Sequence, residues 1–160
     1  YSIKLMKIII SFITFFLLTT NCGFKVLDKS KNNNFSIQEV RTSGEMRINY
    51  KIKNNILINS KEASENQVVI NLNTKKIKNI KEKNIKNEIT KYEIFLISKV
   101  EFFLIKDDIR ANFSKSVTGD FTAGNNYSAT INNEKKIVDD LVESLSEKIL
   151  DEIVLKLNDL

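Results

Sequence analysis

Three groups of residues in this 160-residue chain are of types that do chemistry. They are one cysteine, Cys22; a run of lysines, Lys75, Lys76, Lys78, Lys81, Lys83 and Lys86; and two pairs of adjacent aspartates, Asp107 with Asp108 and Asp139 with Asp140. A lone thiol closes no internal disulfide. Clustered ammonium groups attract anions, each lysine acting as a flexible point charge. Neighbouring acids on a turn or helix point apart, so both pairs are read as solvated rather than as a metal site or a carboxylate dyad. The chain contains no histidine, which removes the usual general base near neutral pH, the usual catalytic zinc ligand and every Ser-His or Cys-His nucleophile. Gly23, Gly44, Gly119 and Gly124 have the spacing of neither a phosphate loop nor a dinucleotide fingerprint. No enzyme, cofactor or metal is expected, with only a carboxylate or lysine mechanism left open.

The thiol gains meaning from its position. Lys4 and Lys7 precede the apolar run Ile8 to Leu18, which is interrupted only by Ser11 and Thr14. This is the pattern of an export signal over residues 1–21, with Met6 read as its start. A membrane-crossing helix needs about 20 apolar residues, and this run is well short of that before Asn21, Lys25 and Asp28. Cys22 stands at its end, as in a bacterial lipoprotein signal, where the cysteine becomes the lipid-modified first residue of the mature chain. Thr19, Thr20 and Asn21 depart from the usual leucine and small-residue pattern. The alternative is a free thiol beside an ordinary secretory signal. Acylation would hold the protein on a membrane, since each buried methylene contributes about 0.8 kcal/mol and several chains anchor where one does not. Residues 22–34, ending in the polar DKSKNNN, read as a lipidated start and tether.

One domain is expected over residues 35–160, large enough to build its own core. Phe35, Ile37 and Val40 suggest a short first strand over 35–40. Ile48, Ile52 and Ile56 lie four apart, as one stripe of a helix over 43–59 requires. Residues 67–81 read as a long strand whose apolar phase shifts between Leu72 and Ile77, as if bulged. Residues 88–105 are the clearest strand, with every second residue from Thr90 to Leu104 apolar or small. After a turn at Lys106 to Asp108, Phe113, Val117, Phe121 and Ala123 face one way and Ser/Thr/Asn residues the other. Val138, Leu141, Val142, Leu145, Ile149, Ile153 and Leu157 form the seam of a terminal helix, capped by Ser128 or Thr130. The resulting class is α+β: a two-layer sandwich in the order βαβββα, two helices on one face of a four-stranded mixed sheet, the other face polar. Tyr92 continues the apolar strand face and is read as core, while Tyr127 has no assignment.

The chain carries 25 Lys+Arg against 20 Asp+Glu. Lysine, asparagine and isoleucine are over-used together, as a strongly AT-rich coding sequence would produce. Glu82, Glu88 and Glu93 interleave with the lysines, so nucleic acid is not expected as a partner. Lys75, Lys76, Lys78 and Lys81 have two readings: contacts to an anionic ligand, or a solvated edge that keeps a hairpin from associating strand to strand.

Cys22, Gly23, Phe24 and Lys25, then the strand, helix and three-strand meander, the long strand with Tyr92, its Ser/Thr-rich partner, Tyr127 to Thr130 and the terminal amphipathic helix resemble the LPS-assembly lipoprotein family, LptE. The resemblance implies a non-enzymatic outer-membrane lipoprotein, anchored by lipid at Cys22. Its domain would lie on the periplasmic side and in the lumen of an LptD-type β-barrel, assisting barrel assembly and lipopolysaccharide passage. Lipopolysaccharide is anionic, and Lys75, Lys76, Lys78 and Lys81 become its expected contacts. The alternative is another small envelope lipoprotein serving a transporter or cell-envelope scaffold.

Overall fold

A computed structural model describes residues 35–60 and 63–159. Cys22 and the segments expected to be an export signal (1–21) and a tether (22–34) lie outside the described residues. The elements are β1 (Ser36–Gly44), α1 (Met46–Ile58), β2 (Gln67–Lys83), β3 (Ile89–Leu104), β4 (Ile109–Thr122) and α2 (Tyr127–Asn158). The strands lie in the order β1-β2-β3-β4. β1 runs parallel to β2 through the α1 crossover, and β2, β3 and β4 are an antiparallel meander. This is the expected βαβββα sandwich with a mixed sheet.

The helix stripes and the alternating strands bury one another. Ile52 and Ile56 of α1, Leu145, Ile149 and Ile153 of α2, and Val68, Ile70, Ile94, Leu96 and Phe102 of the sheet are sealed from water. Each such side chain contributes about 1.5–3 kcal/mol by leaving water. Tyr92 packs at the margin of this core, stacked on Phe121 with ring centroids 5.1 Å apart. Two polar residues of the buried face, Thr74 and Ser98, satisfy each other across β2 and β3 at 3.1 Å.

Several boundaries differ from the sequence pattern. β1 continues past Val40 to Gly44, and the first helix starts at Met46 rather than at residue 43. Gly44 has φ +87, and a Cβ there would stand 2.3 Å from the Thr74 carbonyl oxygen; only glycine turns the chain so tightly out of the sheet. The Glu45 N–H then donates to that same carbonyl, and the Asn49 amide donates to the Ser43 carbonyl at 2.6 Å. α2 is capped by Asn126, not by Ser128 or Thr130: its side chain accepts from the Ala129 N–H at 2.8 Å. The Thr130 hydroxyl instead accepts from the Gly124 N–H and donates to the Asn126 carbonyl. Tyr127 is the first residue of that helix, exposed.

The phase shift in β2 is not a bulge. Pairing with β3 is regular from Val68 through Ile80, and the irregularity falls only at Ile80 to Lys83. Ile77 is out of phase because it lies on the opposite sheet face, beside Phe95 on β3. That face, expected to be polar, also carries Val69, Ile97 and Phe103, all half-buried.

Candidate functional site

The lysine run begins where the sheet changes. Gly44 opposite Thr74 is the last pair of β1 with β2, so from Lys75 to Lys83 the outer edge of β2 has no strand beside it among the described residues. Strand alternation then divides the four expected ligand contacts between two faces. Lys76 and Lys78 point to the helix side, in line with Leu96 and Ile94. Lys75 lies on the helix-free side, opposite Ile97. Lys81, beside the irregularity in β2, reaches Asp120 and Glu93 on that same side.

Lys76 and Lys78 converge on one carboxylate. Glu134 of α2 accepts from the Lys76 ammonium at 2.9 Å on one oxygen and from Lys78 at 2.6 Å on the other. Burial disfavours the Glu134 charge, but the hydrogen bonds and positive charges of Lys78 and Lys76 outweigh it and hold its carboxyl below the ordinary value. The Lys78 ammonium also lies 4.3 Å from the Tyr92 ring centroid and 5.1 Å from that of Phe121, a placement favoured by the negative ring faces. The Lys81 ammonium is held protonated above its usual range, chiefly by its hydrogen bond to Asp120. Three of the four lysines therefore have intramolecular carboxylate partners, and Lys75 has none among the described residues.

The helix-free face holds a feature that the lysine run does not suggest. Arg41, Asn71, Glu101 and Asn112 form one row across all four strands, and Ser43, Asn73, Lys99 and Ser114 form the next. Asn71 donates to Glu101 at 3.0 Å. These polar and charged side chains line a trough of about 590 Å³. Apolar residues rise at its two ends: Val69 and Phe103 at one, Ile77, Phe95 and Ile97 at the other. Arg110 lies over the Phe103 ring at 5.3 Å. The trough offers amide donors and acceptors, the Lys99 ammonium and apolar shoulders. Its signal in the sequence is the second alternation phase of β2 and β3, Asn71, Asn73, Lys99 and Glu101. Glu134 has no comparable sequence signal, because its partners are in a strand 56 and 58 residues away.

Fold and surface together define an α+β two-layer domain with one helix-covered sheet face and, among the described residues, one open one. Among solved structures, this architecture is similar to rare lipoprotein B from Shewanella oneidensis, with TM-score 0.59 and 11% identity over 76% of this chain and 97% of that one. It is also similar to the uncharacterized lipoprotein B from Nitrosomonas europaea, with TM-score 0.56 and 13% identity over 85% of this chain and 93% of that one. At such identities the likeness is one of fold. No protein-family model matches the chain, and no curated protein matches it.

Proposed function

We propose that this chain is an outer-membrane lipoprotein, acylated at Cys22, whose domain seats in the lumen of an LptD-type β-barrel and acts by binding rather than by catalysis. There it assists barrel assembly and helps lipopolysaccharide reach the cell surface. The observation that carries this reading is a βαβββα domain that overlays nearly the whole length of a protein named rare lipoprotein B, following a cysteine at the end of an apolar leader. The polar rows of the helix-free sheet face, Asn71 and Asn73 among them, suit a water-lined lumen, whose wall offers hydrogen-bond partners. A lipid tether raises the effective concentration of that encounter.

Lys75, Lys76, Lys78 and Lys81 remain the proposed lipopolysaccharide contacts, with unequal weight. Lys75 is available as it stands; Lys76 and Lys78 would first have to leave Glu134, and Lys81 would have to leave Asp120. Those existing ion pairs favour a second reading, an envelope lipoprotein of a transporter or scaffold that binds no lipopolysaccharide.

A C-terminally tagged chain recovered from detergent-solubilised envelopes, with intact-mass analysis, tests both. A co-purifying barrel of outer-membrane size and an acylated Cys22 are expected. Acylated protein without a barrel supports the second reading, and free unacylated protein overturns both.

A further inference from the structure

Among the described residues, the sheet has two unpaired edge stretches of opposite chemistry. On the β1 side the exposed part of β2 carries Lys75, Lys76, Lys78, Lys81 and Lys83, a density of like charge that discourages a strand from adding. On the other side, β4 is a 14-residue edge whose charged side chains are only Arg110, Lys115 and Asp120. The rest of its exposed side chains are Asn112, Ser114, Ser116, Thr118 and Thr122. A long, regular edge with so little to repel a partner is a template for pairing.

The backbone of that edge fixes which pairings are allowed. The Ala123 N–H donates to Thr90, so with antiparallel alternation the odd residues of β4 bond to β3 and the even ones, 110 to 120, point their N–H and C=O groups outward. Consistently, the Thr122 carbonyl is reached from outside the sheet by the Asn133 amide. We propose that, when the domain is not seated in a barrel, this edge pairs with β4 of a second copy, antiparallel, about a two-fold axis through Lys115. In that register Ser114 stands opposite Ser116, Asn112 opposite Thr118, and Arg110 opposite Asp120 at both ends, all even residues with outward backbone groups. On the helix side Phe113 meets Val117 and Ala111 meets Gly119. A shift of two residues either way loses this match: Asp120 then faces Asn112 in one case and Asp108 in the other.

Six even residues per strand give roughly a dozen new backbone hydrogen bonds in a continuous eight-stranded sheet. The pairing is isologous, as a closed two-fold dimer requires. Lys115 meets its own copy at the axis, but each already has Glu152 of its own chain at 2.6 Å. Asp120 keeps Lys81 and has acceptor capacity left for a second cation.

The test exploits a distance. Arg110 and Asp120 lie on the same strand roughly 33 Å apart, so they cannot compensate each other inside one chain. The full chain in mild detergent is followed by sedimentation velocity between about 1 and 100 µM, a range that brackets a micromolar dimer. A concentration-dependent dimer is expected. D120R alone and R110D alone each place like charges opposite at both ends and weaken it about tenfold or more. The double exchange D120R/R110D restores it, with thermal melts confirming that every variant is folded. A monomer throughout, including one that takes up a strand of another protein instead, overturns the proposal. So does a dimer that the single reversals leave unchanged.

Discussion

The ammonium of Lys78 lies over the ring of Tyr92 at 4.3 Å while donating to Glu134 at 2.6 Å. One lysine thereby ties β2 to both β3 and α2. A residue that reads in the sequence as part of a ligand-attracting run is, in the fold, a fastening between the two layers.

Glu134 is the centre of that fastening, with only 15% of its side chain exposed. Glu134→Gln leaves Lys76 and Lys78 half-buried without a counter-charge, and the expected loss of stability is about 1–2 kcal/mol, between that of an exposed and a buried pair. The urea midpoint at neutral pH measures it; a change within error would mean that solvent already screens the pair.

The same carboxyl sets a pH signature. Its pKa is lower in the fold than in the unfolded chain, so its contribution is fully present above the unfolded value, about 4.3, and is lost as pH falls through the lower folded one. The stability gap between the native protein and Glu134→Gln is therefore expected to hold from pH 7 to about 5 and to close progressively as pH falls below the unfolded value. A gap independent of pH would show that the lost contact is not ionic.

Gly44 ends β1 at φ +87 against the Thr74 carbonyl. Gly44→Ala is expected to destabilise by about 2 kcal/mol or more, since both the backbone conformation and the close approach resist a Cβ. Thermal melts check it, with the exposed Ser43→Ala as the reference substitution.

Ile52 of α1 is wholly buried in the core. Ile52→Ala is expected to cost about 2–5 kcal/mol from the lost burial and the cavity left behind. Denaturant unfolding gives the value, and a cost below that range would mean the layers collapse onto the gap.

The lysines separate by face. Lys75→Gln is expected to weaken binding to purified lipopolysaccharide at low salt more than at moderate salt, by less than about tenfold for one exposed charge. Lys76→Gln and Lys78→Gln are expected to lower the melting temperature instead. Equal affinity for Lys75→Gln and the native chain at low salt would remove the hairpin from the ligand site.

Much of this architecture was legible in one dimension. Ile48, Ile52 and Ile56 mark the helix stripe, and the even residues from Tyr92 to Leu104 mark the buried face of β3, because helix and strand periods impose distinct spacings on apolar residues. Element ends were less legible. Asn126 caps α2 through a local acceptor that competes with Ser128 and Thr130 only a few residues on, and Gly44 is forced by the Thr74 carbonyl, which belongs to another strand. Ile77 misled for a related reason: an apolar side chain out of phase fits a bulge or a second apolar face equally well, and only pairing with β3 distinguishes them.

By itself, then, the sequence determined the order and kind of the elements, the face each presents to the core, and the place of Cys22 after an apolar leader. Those properties are periodic or local, and they are carried by neighbouring residues. Only the tertiary structure decided which lysines are free. Alternation assigns Lys75 and Lys76 to opposite faces but cannot say which face receives α2, nor that Glu134 arrives there to neutralise Lys76 and Lys78. It likewise decided that β1 stops at Gly44, which leaves the lysine-bearing half of β2 and the whole of β4 as unlike edges of one sheet. Charge and hydrogen-bonding capacity are written in the chain, but whether they are spent inside the molecule or left for a partner depends on contacts between residues far apart in sequence.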